Sequence, residues 1–492
     1  MVYYGALSRG CQQCRQRKVK CDQRKPACLR CEKAKIKCPG FRNLGDVMFR
    51  DESRRIIAKA KFEYGQSKPP DATTNLPVCV PYPGTMSRTI THPIREQAVS
   101  FFFAKYVWDG PPFTPGYGGW LADTYRRNTP NCAMRATIEA AGMAGLSNVY
   151  HAPHVAAQSR AQYGRALAAL KQTLNDPVTS IADTTLNTVL LMGLFEFVTF
   201  DSWDRKRAWA AHIDGANALV QLRGQAQFRS ERGNQLFSQV CSQILYACMQ
   251  HDLAAPEAIV QIADELKAAS EQAKEYQDRP RYMRNICFRF LHLRSAIRSR
   301  EMTDPESIFQ AAAQLDRDLE VWRKKQLEPA FSYITIPTAA ATVDSDCTDT
   351  PSNMVFLGRR HIYVNPWTAQ TWSNWRTMRI VTNQIIIYHH GDKQQQDKTD
   401  NAVTAATRLV RHLCDEICVS VSSFENGPRT VCLIWPLSVV AREPLNPLSR
   451  RRWAVAQLRR INSSLGFRQA GLFADTIEPD LDKAEKEGLG IS

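Results

Sequence analysis

The sequence predicts a mostly all-α protein, with a small cysteine-rich module in front of a large helical domain. Three observations carry this expectation. Six cysteines near the amino terminus keep a strict rhythm. From about residue 95 onward, apolar residues recur at the three-to-four spacing of a helix face, and strand-like alternation is scarce.

The cysteines are Cys11, Cys14, Cys21, Cys28, Cys31 and Cys38, which gives C-x2-C-x6-C-x6-C-x2-C-x6-C, two matching halves in tandem. A structural zinc ion held by thiolates takes four sulfurs in a tetrahedron. One metal would leave two cysteines idle, and two separate metals would need eight. Six thiolates serve two tetrahedral metals when two of them bridge. The spacing therefore points to a compact binuclear cluster with two Zn(II) ions per chain. An even cysteine count also fits a secreted disulfide module. The opening residues MVYYGALSRG hold no apolar run of the kind a secretion signal carries, so a reducing interior is expected. A RING or LIM arrangement would use histidine ligands, and no histidine precedes His92.

The residues between the cysteines are strongly basic. Arg15, Arg17, Lys18 and Lys20 lie in the first half, and Lys33, Lys35 and Lys37 in the second. Residues 1–45 hold twelve Lys or Arg against Asp22 and Glu32, a formal +10. Loading two Zn(II) onto six deprotonated thiols would leave about +8. That charge density suits a binder of phosphate backbones. The remaining 447 residues carry only +6, so the basic character of the chain is local.

The segment closely resembles the fungal Zn(II)2Cys6 binuclear-cluster transcription factors in its cysteine spacing, the basic run before Cys21 and Pro26 two residues before Cys28. The resemblance implies that Cys11 and Cys28 bridge. One metal would take Cys11, Cys14, Cys21 and Cys28; the other would take Cys11, Cys28, Cys31 and Cys38. It further implies two short helices related by a pseudo-two-fold axis, the first presented to the DNA major groove over a CGG-like triplet. Lys18 falls at the guanine-reading position, where its ammonium suits the O6 and N7 acceptors. Arg15, Arg17 and Lys20 are then phosphate contacts, which fix register without reading sequence. The expected partner is double-stranded DNA and the expected location the nucleus, with transcriptional machinery or co-regulators as further partners. A metabolic or secondary-metabolite gene cluster is the implied target. The competing account is a zinc-cluster adaptor that works through protein contacts.

Beyond the module, Pro39 and Gly40 close the cluster. Asp51 to Tyr64 reads as a short charged helix with too few apolar positions for a zipper. The stretch 66–94 is rich in Pro, Thr and Ser, a linker composition. The organisation expected is therefore 1–45 cluster, 46–94 basic segment and linker, 95–465 all-α regulatory domain and 466–492 acidic tail.

Within 95–465, IREQAVSFFFAKYV opens the helical pattern, and the most apolar stretch, Thr188 to Phe200, reads as a buried helix too short to span a bilayer. Trp209, Ile213, Ala216 and Leu219 form one apolar face; Met283, Ile286, Phe290 and Ile297 a second; Leu409, Leu413, Ile417 and Val421 a third. Asn175–Asp176–Pro177 and Arg223–Gly224 mark helix ends. FSYITIP at 331–337 is the best strand candidate, and 338–355 reads as a loop. LLMGLFEFVTF followed by W-x2-HIDGANALVQLRG, together with FFFAKYV, resembles the fungal-specific regulatory domain that often follows such clusters. No binding residue is carried over from that resemblance.

Other chemistry finds little footing. His212 is expected to pack or make a polar contact, and His412, Cys414 and Cys418 to be structural. His389 and His390 lead into a solvated loop. No phosphate loop, serine elbow or H-E-x-x-H helix occurs, so no enzyme is expected. The acids between Asp475 and Glu487 read as a solvated terminus.

Overall fold

The structure is a computed structural model and describes residues 11–22, 24, 26–39, 93–107, 119–127, 132–251, 253–272, 279–328, 331–338, 355–389, 396–424 and 427–487. The charged segment at 51–64, the linker up to residue 92, His390 and most of the loop at 338–355 lie outside these residues. The chain divides into two units, 1–89 and 90–492.

In the first unit, α1 (Gln12–Gln16) and α2 (Leu29–Lys33) each begin directly after a cysteine of the repeat. The second unit is helical almost throughout. It runs α3 (Ile94–Tyr106), α4 (Gly119–Arg127), α5 (Cys132–Tyr150), α6 (Pro153–Leu174), α7 (Pro177–Ser180), α8 (Asp183–Val198), α9 (Lys206–Arg223), α10 (Glu231–His251), α11 (Glu257–Gln272), α12 (Arg279–Ser299) and α13 (Pro305–Trp322). A two-stranded ribbon, β1 (Tyr333–Pro337) and β2 (Arg359–Tyr363), follows. The chain then continues through α14 (Pro366–Tyr388), α15 (Gln396–Ser420), α16 (Ile434–Arg442), α17 (Leu448–Leu465) and α18 (Arg468–Lys486). The mostly all-α expectation is met.

One device recurs at helix starts. Asp176, Asp304 and Asn365 each precede a proline, and each side chain accepts the backbone N–H three residues on, from Thr179, Ser307 and Thr368. The side-chain oxygen satisfies an orphan donor, while proline gives up an N–H the helix cannot use. At the other end, α9 stops at Arg223 because Gly224 turns to φ +57°.

One continuous apolar cluster runs from Phe102 to Leu481 and takes in all three faces read from the sequence. The α5 helix is central, packed by α3, α6 and α8. Gly142 explains how α3 comes so close: a Cβ there would lie 2.0 Å from the Ala98 carbonyl oxygen. Tyr106 on α3 donates to the Leu465 carbonyl at 2.9 Å, and Asn148 on α5 donates to the Val198 and Gly466 carbonyls. These bonds join the start of the unit to its end.

Two findings depart from the sequence reading. FSYITIP does form a strand, but its partner is β2, antiparallel with Tyr333 opposite Tyr363 and Ile334 opposite Ile362. The ribbon is anchored by polar groups. Arg376 on α14, 1% exposed, donates to the Tyr363 hydroxyl and lies 3.5 Å from Glu416, which is 3.2 Å from His361 on β2. Burial alone would raise the Glu416 carboxyl, but the close approach of the His361 ring and the Arg376 charge overrule it and hold it at about 2. The second departure is a correction. The acid-rich stretch expected as a solvated terminus folds as α18, with Phe473, Ile477 and Leu481 buried. Its acids face the arginines of α17: Arg452 pairs with Asp482 and Glu485, and Arg459 with Asp475 and Glu478. The negative charge is the counterpart of an arginine-rich neighbour.

Candidate metal centre and nucleic-acid interface

The six amino-terminal cysteines gather in one place. Cys11, Cys14, Cys28 and Cys31 are fully buried, and Cys21 and Cys38 are half-buried, so the two halves match position by position. Cys11 precedes α1 and Cys28 precedes α2, while Cys14 and Cys31 sit inside those helices. Two groups of four sulfurs result, Cys11–Cys14–Cys21–Cys28 and Cys11–Cys28–Cys31–Cys38, each with its sulfurs within 4.8 Å of one another. Cys11 and Cys28 belong to both.

The spacing tests whether zinc fits. The Sγ atoms of Cys11 and Cys28, of Cys11 and Cys31, and of Cys14 and Cys28 are each 3.7 Å apart. A disulfide needs about 2.05 Å, and a ZnS4 tetrahedron with bonds of about 2.3 Å has edges of about 3.8 Å. The donor set suits zinc and excludes cystine. Backbone N–H groups also reach sulfur, from Cys14 to Cys11 Sγ at 3.4 Å and from Cys11 to Cys21 Sγ at 3.5 Å. Without metal, burial and crowding against Cys28 and Cys11 push the Cys31 thiol up to about 12, and burial likewise raises Cys14 and Cys28. Metal loading must therefore displace protons.

Around this centre the two halves repeat in backbone as well as sequence. The Val19 N–H donates to the Cys14 carbonyl at 2.9 Å, and the Ile36 N–H to the Cys31 carbonyl at 3.0 Å. This six-to-one bond closes a helix end through one residue in the left-handed region. That residue is Lys18 in the first half, at φ +53°, and Lys35 in the second, at φ +52°. Glycine is the usual occupant, and a lysine there carries strain on the order of 1 kcal/mol. Both lysines are exposed, as are Arg17, Lys20, Lys33 and Lys37. Arg15 lies within α1, and its side chain is outside the described residues.

Asp22 has a role that charge counting missed. Its carboxylate accepts from the Leu29 N–H at 3.1 Å and the Arg30 N–H at 3.4 Å, capping α2 from outside the helix. Burial pulls its carboxyl up, but these backbone donors outweigh it and hold the group below its ordinary value. Its position six residues before Cys28 was the available signal.

The other candidates resolve as packing. His212 shares a 2.7 Å hydrogen bond with the Tyr163 hydroxyl and lies 4.0 Å from Glu196; burial lowers its pKa. Cys414 and Cys418 are fully buried in the apolar cluster, and burial raises both thiols. His389 forms the carboxyl cap of α14. Among the described residues, only the six amino-terminal cysteines form groups of His, Cys, Asp or Glu able to hold a metal. No helix among them is long and apolar enough to cross a membrane.

A cysteine-held basic module and a separate helical unit together define the class, a zinc-cluster transcription factor. Residues 9–44 match the fungal Zn(2)-Cys(6) binuclear cluster domain, and residues 132–473 match the fungal specific transcription factor domain. The chain belongs to this fungal transcription factor family. Both families are transcription-factor domain families. No curated protein and no solved structure matches the chain.

Proposed function

We propose that this protein regulates RNA polymerase II transcription in the nucleus by binding CGG-like sites through a cluster of two zinc ions. The observation that carries the reading is the pair of four-sulfur groups sharing Cys11 and Cys28, with an exposed lysine fixed at positive φ beside it. In this reading Cys11 and Cys28 bridge, Cys14 and Cys21 complete one site, and Cys31 and Cys38 the other. Zinc supplies cross-linking and offsets the thiolate charge. The chain supplies everything that touches DNA.

Lys18, exposed in the turn after α1, is the base reader in this account, because its ammonium suits guanine O6 and N7. Arg15, Arg17 and Lys20 flank it and engage phosphates. Those backbone contacts provide most of the affinity and weaken as salt rises. The family resemblance points to a metabolic or secondary-metabolite gene cluster as the target, with co-regulators meeting the helical unit.

The test uses the full zinc-loaded chain, titrated against a CGG-bearing and a scrambled duplex over a range of salt. Lys18→Gly relieves the positive-φ strain, so the module should stay folded and keep its metal. It should nevertheless lose discrimination worth about 1–3 kcal/mol. Arg17→Ala should weaken both duplexes alike and reduce the salt slope by about one. Full discrimination in Lys18→Gly would remove Lys18 from base reading. A wild-type chain that shows neither sequence preference nor salt dependence would favour the adaptor account.

A further inference from the structure

We propose that the helical unit takes a neutral, single-ring nitrogen heterocycle that carries an N–H and a C=O side by side, read by the side-chain amide of Gln239. The inference goes beyond DNA recognition and does not depend on it. It begins with α10. Leu236, Val240 and Ile244 of that helix are fully buried in the apolar cluster. On another stripe, Gln239, Ser242, Gln243 and Tyr246 follow at the three-and-four spacing that brings side chains to one face. These four line a cavity of about 200 Å³, to which Phe197 of α8, Trp209 of α9 and Trp367 of α14 add aromatic wall. A cavity of about 150 Å³ accommodates benzene, so this one suits one ring with a small substituent.

The polar groups of the wall differ in what they have left to offer. Gln243 donates to the Leu190 carbonyl at 3.3 Å, the Ser242 hydroxyl to the Ser238 carbonyl at 2.9 Å and the Tyr246 hydroxyl to the Val431 carbonyl at 3.3 Å. Arg429 donates to Gln370 Oε1 at 2.7 Å, and its charge is not called on. Gln239 stands apart. It is 5% exposed and lines the cavity, yet among the described residues its side-chain amide has no hydrogen-bond partner. Leaving a buried amide unpaired is costly, and this one offers an acceptor and two donors in one plane. A ring with adjacent N–H and C=O answers it with two antiparallel hydrogen bonds, much as glutamine reads the edge of adenine. The ring is neutral because an amide brings no charge to offset the desolvation of an ion.

A larger cavity of about 510 Å³ beside α14 and α15 does not compete. Its Arg379 pairs with Asp316 and Glu320, and its Arg376 faces Glu416. Those charges answer one another.

The test compares two isomers of equal size on the full zinc-loaded chain, by calorimetric titration and thermal unfolding. One is 4-methyl-2-pyridone, which keeps the ring N–H; the other is 1-methyl-2-pyridone, which lacks it. The first should bind and raise the unfolding temperature of the helical unit. The second should bind at least about tenfold more weakly, because it leaves the Gln239 carbonyl unmet. Gln239→Met keeps the length of the side chain, removes the amide and should bring the two isomers to the same affinity. If that variant does not fold, Gln239→Asn draws the amide back by one methylene and should narrow the preference. Equal affinity of the isomers for the wild type, or no binding of either at millimolar concentration, the mark of a cavity that holds water alone, would overturn the proposal. So would a preference that survives undiminished in both variants. None of these readouts involves DNA, so failure here leaves the DNA-binding reading intact.

Discussion

In residues 11–39 the only fully buried side chains among those described are four cysteines, whereas the helical unit buries a continuous apolar cluster from Phe102 to Leu481. The first region has too few apolar atoms to offset the entropy of ordering its chain. What it has instead is six sulfurs at zinc-tetrahedron spacing. The second has a core that needs no metal. The contrast teaches that the two units should respond to different insults, and each expectation below attacks one side of it.

The largest effect should come from chelation. Structural zinc contributes roughly 10–16 kcal/mol of binding free energy in small domains, and for such units that is folding free energy. Removing it should unfold the module and abolish DNA binding. Helical circular dichroism should fall only by the share of two five-residue helices, α1 and α2. Wholesale loss of helix would mean the units are not independent.

Next is the core of α18. Phe473 is 2% exposed and packs edge-to-face on Trp203. Phe473→Ala should cost about 3–5 kcal/mol, read by denaturant unfolding of the helical unit. A cost near zero would return 468–486 to the status of a solvated tail. Zinc content should not change.

The buried network under the ribbon should give a pH signature. The Glu416 carboxyl is depressed from 4.5 to about 2, so its contribution is fully present above about pH 4.5 and is lost as pH falls toward 2. That contribution is on the order of 3 kcal/mol. Glu416→Gln should flatten the acid limb of the stability curve in that window. An unchanged acid limb would show that the carboxylate is not held this way.

The smallest effect belongs to Lys18→Gly, which should stabilise the zinc-loaded module by about 1 kcal/mol through relief of positive φ. Thermal unfolding of that module reads it, and a destabilised variant would show that the lysine side chain supports the fold.

How much of this was legible depended on how discrete the signal was. The cysteine rhythm admits few coordination schemes, so the metal module could be read directly. The faces of α9, α12 and α15 repeat at helical period over several turns, so they too were visible. The strand RRHIY was not, because a short stretch with two arginines and a histidine lacks apolar alternation; it is a strand because β1 pairs with it and Arg376 and Glu416 hold it. The acids of α18 drew attention from Phe473, Ile477 and Leu481, which stand four residues apart on one face. Their meaning required the arginines of α17, which are distant in pattern until the two helices pack. Lys18 was singled out by the family resemblance, but its left-handed backbone is a property of the turn and no residue preference announces it.

The most direct measurement of the central claim is a metal and thiol count on the purified full-length chain under native conditions. Two zinc ions per chain, with the six amino-terminal thiols protected from alkylation until chelator is added, is the result expected. One zinc or none, or those sulfurs recovered as cystines, would contradict the binuclear cluster and the DNA-reading surface built on it.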